Sequence, residues 1–241
     1  MINFFKKEEK PKITFWTTVN GLEKVVPVVP AKKYIPEWFK KIPPGIPAQG
    51  GSLEIHSTVK RCPGFIDFVS KGYVVPLWTD LYVRVSKDGS VDWEIPTGHF
   101  NFEFHSHEQF LKYLPEDANP DIKAIMKPIC PWHAKTSPGY NLLQFPMFYE
   151  FNDIFTVLPG VYESDRYYEI NQQLCFLKEG EHLLKRGTPL ALYVPYKREE
   201  FDFEVKVEDE ELKNAREELG INISTMFYNR LVRSNVRQKD T

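Results

Sequence analysis

Between Pro128 and Pro195 no apolar run goes far before a Pro, a Gly or an Asp-containing turn cuts it. The stretches from Tyr140 to Phe145, Ile154 to Val157, Tyr168 to Phe176 and Leu190 to Val194 are rich in β-branched and aromatic residues, the pattern of short strands rather than of helices. Strands at this spacing predict a mainly β fold of α+β type, a jelly roll or a related closed β core.

The preceding half reads in the same way. Residues 13 to 29 hold two β-branched and aromatic runs around Asn20-Gly21, a pair that tolerates the positive φ of a tight turn, so a first hairpin is expected there. Pro36 opens a short helix that Pro43-Pro44 must end, and Pro63 to Lys71 forms another, stopped at Gly72. A strand from Tyr73 to Val85 then turns at Asp88-Gly89 into Val91 to Ile95. Phe100, Phe102 and Phe104 alternate at the period of a half-buried strand, and His107 to Leu114 reads as a short helix or turn. Near the end, Asp209 to Leu219 is a helix with Asp209 as N-cap and Gly220 as its stop, and Ile223 to Val232 is a candidate second helix.

A chain of 241 residues with a 42% hydrophobic and 15% aromatic share has apolar surface enough to offset the entropy of ordering. One domain is expected over 1–241, with a β core at about 13–200 and a helical extension, acidic then basic, over 201–241. The charge nearly cancels, 31 basic against 33 acidic residues, so no nucleic-acid partner and no membrane surface are expected. Cys62, Cys130 and Cys175 are widely spaced without a CxxC pair, which indicates neither a disulfide framework nor a thiolate zinc site. The opening MINFFKKEEK lacks the pattern of a signal peptide, and the chain has no long apolar run; an intracellular setting is the expectation.

Two resemblances add to this. Through Lys33-Tyr34-Ile35-Pro36-Glu37-Trp38-Phe39, Pro131-Trp132, Lys135 to Tyr140, Glu169 to Leu174 and Arg186 to Ala191, the sequence resembles a family of hypothetical proteins of tailed phages of marine cyanobacteria. That resemblance implies a phage gene expressed in the cytoplasm of an infected bacterium, with the virion as a further location. Val157 to Asp165, followed by a strand and then Leu184 to Ala191, is similar to the core hairpin of the trimeric deoxyuridine triphosphatase fold. It implies a β core of that kind, and it lays the family's water-activating aspartate on Glu163 and its sugar-sensing tyrosine on Arg166. With Arg186, these are the candidate catalytic (Glu163) and substrate-binding (Arg166, Arg186) residues. The carboxyl-terminal sequence has no Gly-rich, phosphate-closing arm and is instead acidic from Glu199 to Glu218.

His105 and His107 stand two apart, which on a strand places both imidazoles on one face, as in cupin-like and oxygenase metal sites. A third ligand would have to come from His99, His133, His182, Glu103 or Glu108. The plainer reading is a polar loop at a strand end. Asp80, Glu163, Asp165 and Glu169 include potential acid and base pairs, but are more simply turn residues or ion-pair partners of Arg166, Arg186 and Arg198. Cys62 and Cys175 lack a nucleophile's sequence signature, Cys175 lies in a run of buried character, and both read as core residues. The many aromatics are core and interface anchors of an oligomer or docking surface. The leading expectation is thus a non-enzymatic interaction or virion-assembly protein with a protein partner or further copies of itself, and no cofactor. The alternative is an enzyme, either a dioxygenase-like protein with a divalent metal at His105 and His107 or a diverged nucleotide hydrolase using Glu163.

Overall fold

Pro128 and Pro131 stand inside a run that forms the longest described strand of the protein, Ala124–Thr136. Its even-numbered residues are buried throughout, while Lys127, Ile129, His133 and Lys135 point outward or lie half-covered, the period of two that fixes one face to the core. The computed structural model describes residues 10–48, 55–96, 100–105, 109, 111–113 and 122–217.

In chain order the strands of the first half are β1 (Ile13–Thr17), β2 (Val29–Pro30), β3 (Gly45–Pro47), β4 (Ile55–Ser57), β5 (Tyr73–Pro76), β6 (Leu81–Val85), β7 (Val91–Glu94) and β8 (Phe102–His105). The strands of the second half are β9 (Ala124–Thr136), β10 (Tyr140–Pro146), β11 (Phe155–Val157), β12 (Gly160–Tyr162), β13 (Glu169–Asn171), β14 (Leu174–Phe176), β15 (Gly180–Leu184) and β16 (Pro189–Lys197). Short helices α1 (Leu22–Val25), α2 (Glu37–Lys41) and α3 (Pro63–Ser70) interrupt the first half. The fold is mainly β.

One sheet runs β1-β9-β14-β11, with β13 and β8 also pairing on β9; another runs β12-β10-β16-β5-β2, and a third β15-β6-β7. Trp132 and Ala134 of β9, Leu174 of β14, Leu142 of β10, Tyr193 of β16 and Leu81 of β6 belong to one buried cluster, so the three sheets share a core. The two prolines are tolerated because pairing on β9 changes hands there. Pro128 faces Phe102 of β8, and Pro131 falls between Ile129 and His133, where the β13 register breaks, so neither missing N–H leaves a regular ladder unpaired. Gly72 feeds β5 with φ 88°, and a Cβ there would stand 2.4 Å from the Tyr193 carbonyl oxygen; only glycine admits this approach.

Several local expectations are corrected. Gly21 does take a positive φ, but no hairpin forms around it. The chain enters α1, burying Leu22 and Val26, and β2 pairs with β5 rather than with β1, because Pro27 and Pro30 remove two ladder donors from that run. The strand expected from Tyr73 to Val85 is two strands in different sheets, parted where the Leu77 N–H donates to the Thr188 carbonyl at 2.8 Å. Tyr168 to Phe176 likewise divides into β13 and β14. Strands β9 and β15 were not anticipated.

The chain divides into two units, Met1–Glu199 and Glu200–Thr241. In the second, residues 201–209 form no regular element and 210–217 are helical, with the Asp209 carboxylate accepting from the Leu212 N–H at 2.9 Å as N-cap. Leu219, Gly220 and the candidate helix from Ile223 to Val232 lie outside the described residues, as does half of the stretch from His107 to Leu114, of which residues 111–113 form a 3-10 turn. Among the described residues no helix is long and apolar enough to cross a membrane.

Candidate functional site

The ladder of β10 with β16 runs from the pair Tyr140 and Lys197 to the pair Pro146 and Ala191, and the candidates Glu163, Arg166 and Arg186 fall near its two ends. Glu163 and Arg166 lie just beyond β12, which pairs with β10 through Leu142 and Tyr162. Arg166 Nη1 lies 3.1 Å from Glu163 Oε2, and Arg198 Nη1 lies 3.6 Å from the same oxygen. Arg198 also donates to Asp165 Oδ2 at 2.8 Å and to Asn141 Oδ1 at 2.8 Å. The Asp165 side chain is 7% exposed and accepts the Gly139 N–H at 2.8 Å. That backbone donor, then Arg198, holds the Asp165 carboxyl below the ordinary carboxylate range.

This end is an ion-pair network that pins the turn between β9 and β10 to the turn after β12. Gly139 has φ 81°, and its N–H points at the carboxylate because glycine permits that conformation. The expectation that Glu163 and Asp165 are ion-pair partners of Arg166 and Arg198 matches this geometry. Arg186 is elsewhere. It precedes Pro189 at the opposite end of the ladder, and its backbone N–H donates to Asp80 Oδ1 at 2.7 Å, so Glu163 and Arg166 are together and Arg186 is apart from them.

His105 ends β8 opposite Ile125, and its buried Nε2 has no hydrogen-bond partner among the described residues. His107 lies outside the described residues. Among the described residues no group of three His, Cys, Asp or Glu side chains is placed to hold a metal ion. Cys130 and Cys175 are buried, and burial pushes both thiols up to about 12, as suits core residues; Cys62, expected in the core, is instead exposed at the entry to α3.

A concave feature that the sequence does not single out lies at the other end of the ladder. At the Pro146 end of the ladder, the connection from β10 to β11 bounds an open cleft of about 590 Å³. Phe155, Val157 and Leu190 form its buried floor, and Phe148, Glu150 and Phe151 stand on its wall. Residues 148–150 make one 3-10 turn that ends at Phe151 with φ 50° and ψ 40°, the only positive φ outside glycine among the described residues. For an aromatic residue this costs about 1 kcal/mol or more.

The strain is over-determined by aromatic packing behind the wall. Trp38 of α2 donates its Nε1–H to the Tyr149 carbonyl at 2.8 Å and meets the Phe151 ring at 5.6 Å. Phe65 of α3 packs on Tyr149 at 4.4 Å. The wall's outer faces stay open, with Phe148 54% and Phe151 69% exposed. Glu150 is the acidic group of the wall, and partial burial pushes its carboxyl above the usual range. An apolar floor, two open aromatic rings and one carboxyl suit an apolar side chain carried by a partner. The sequence signal was there in Met147-Phe148-Tyr149-Glu150-Phe151-Asn152, a connection with three aromatics where polar residues are usual.

No family model matches the chain, and no curated protein matches it. Among solved structures, the native EIAV dUTPase is weakly similar, aligning over 58% of this chain and 87% of its own length with 9% sequence identity and a TM-score of 0.33.

Proposed function

We propose that this chain acts by contact rather than by turnover, as a phage-encoded interaction or assembly module whose docking surface is the aromatic-walled cleft at the Pro146 end of the β10–β16 ladder. The observation that carries this reading is Phe151, an aromatic residue held in a left-handed conformation and still 69% exposed. Backbone strain at a surface aromatic is retained where the side chain has a use there. Burying the remaining area of Phe148 and Phe151 would contribute about 1–2 kcal/mol each, the size of contribution that marks an interface anchor. The phage setting rests on the sequence resemblance through Lys33 to Phe39 and the later segments.

A photoreactive amino acid in place of Phe148 identifies the protein that lies over the cleft in expressing cells. That protein, purified, is then titrated against the full chain and against Phe151→Ala by calorimetry. The reading expects binding to weaken about tenfold in the variant. Equal affinity for both would remove the cleft as the docking surface.

A further inference from the structure

A second contact surface lies outside the cleft. Residues 201–207 read Phe-Asp-Phe-Glu-Val-Lys-Val, belong to no helix or strand, and pair with no strand among the described residues. Phe201, Phe203, Val205 and Val207 are 86%, 89%, 81% and 90% exposed. The alternate positions are Asp202, Glu204 and Lys206, with Glu208 following. This is the pattern of a half-buried strand, with one exposed apolar face and one charged face that is acidic at Asp202 and Glu204 and carries Lys206 paired with Asp209.

The complementary half is on β1. Ala134 and Thr136 of β9 send their N–H groups away from β1, to the Tyr168 carbonyl at 2.9 Å and the Ser164 carbonyl at 3.2 Å. Antiparallel alternation then makes Thr14 and Trp16, opposite Lys135 and His133, the β1 residues that bond to β9. Ile13, Phe15 and Thr17 turn their N–H and C=O groups to the free side, where no described strand pairs. Such an edge is a template for another strand.

The two faces of that edge match the two faces of the segment. Ile13 and Phe15 point inward and pack against the main core. The outward side carries Lys12, then Trp16 against His133 and Tyr168, with Lys135 Nζ 5.5 Å from the Tyr168 ring centre. A strand laid beside β1 with Phe201, Phe203, Val205 and Val207 inward extends the apolar side, and sets Asp202 and Glu204 on the side of Lys12 and Lys135.

We propose that residues 201–207 of one copy add as an edge strand to β1 of a second copy. Donor and acceptor are different surfaces of one chain, so the contact is head-to-tail and closes into a ring or propagates, as an assembly role requires. The inference rests on the reading that the chain works through protein contacts, but uses a surface remote from Phe148 and Phe151 in sequence and chemistry.

The test is native mass spectrometry with light scattering on the full chain over a dilution series. Wild type is expected as a multi-subunit species, and the double variant Phe201→Asp with Phe203→Asp as a monomer with an unchanged circular dichroism spectrum. Lys12→Glu with Lys135→Glu is expected to weaken assembly about tenfold, and Asp202→Lys with Glu204→Lys to restore it. A wild type that stays monomeric, including one in which amide exchange shows 201–207 protected within a single chain, overturns the proposal. So does an oligomer indifferent to both sets of substitutions. Loss of this proposal with cleft affinity still sensitive to Phe151→Ala leaves the docking reading standing, and the reverse result separates them the other way.

Discussion

The two ends of the β10–β16 ladder are made of different material. At the Tyr140 end, Asp165, Arg198, Asn141 and the Gly139 N–H satisfy one another within 2.8 Å contacts, and the turns they join have little freedom to move. At the Pro146 end, apolar residues line an open cleft, and the wall is held by aromatic packing around a strained Phe151. Directional bonds fix geometry but leave little to offer a partner. Open aromatic area is poorly satisfied by water, and is the part of this ladder with binding energy still to release.

Between the ends sits the group whose loss should cost most. Gln144 is 1% exposed; its Nε2 donates to the Leu158 carbonyl at 2.7 Å, and its Oε1 accepts from Tyr162 and Tyr193 at 2.9 and 2.6 Å. Gln144→Ala takes this acceptor from the buried Tyr193 hydroxyl, and from the half-buried Tyr162 hydroxyl that also donates to the Asn171 carbonyl, and it opens a cavity, so urea unfolding should show a loss of about 3 kcal/mol. A loss under about 1 kcal/mol would mean that the two ends are not joined through this residue.

Next in size is the ionic end. Asp165→Ala should lower the melting temperature clearly, and the double variant with Arg198→Ala should cost less than the two single changes together. Additive losses would show that the network is not one unit. Because the Asp165 carboxyl is held below its ordinary range, its contribution is present above that range and is lost as pH falls through it toward the folded-state value. The stability gap between wild type and Asp165→Asn should therefore narrow in acid, as followed by melting curves at successive pH values.

The cleft end should give the smaller effects. Phe151→Gly and Phe151→Ala remove the same ring, but only glycine accepts φ 50° without strain. The glycine variant should be the more stable by about 1 kcal/mol, and the opposite order would deny the strain. Phe148→Ala, at an exposed position, should change stability by no more than about 0.5 kcal/mol while weakening partner binding.

How much of this was legible follows from how local each signal is. Strands β10 and β16 announce themselves by β-branched and aromatic runs, and Asp88-Gly89 by its turn chemistry. Strand β9 hid behind Pro128 and Pro131, because tolerance of proline depends on where partner strands change, which is set by residues such as Phe102 and Asn171 far along the chain. The Glu163–Arg166 pair is three residues apart and readable as an ion pair. Arg198 reaches Asp165 from 33 residues away, so the residue types pointed to an ion pair but not to which partner. Phe148 and Phe151 escaped because exposure of a ring is decided by one turn's dihedral angles and by the α2 and α3 aromatics behind it.

Native-state amide exchange on the purified chain tests the contrast between a fixed end and an open contact end most directly. The account predicts that the Gly139 and Arg198 amides, bonded to Asp165 and to the Gly139 carbonyl, exchange only with global unfolding, while segment 147–152 exchanges through local opening at much lower free energy. Equal protection at the two ends would contradict it.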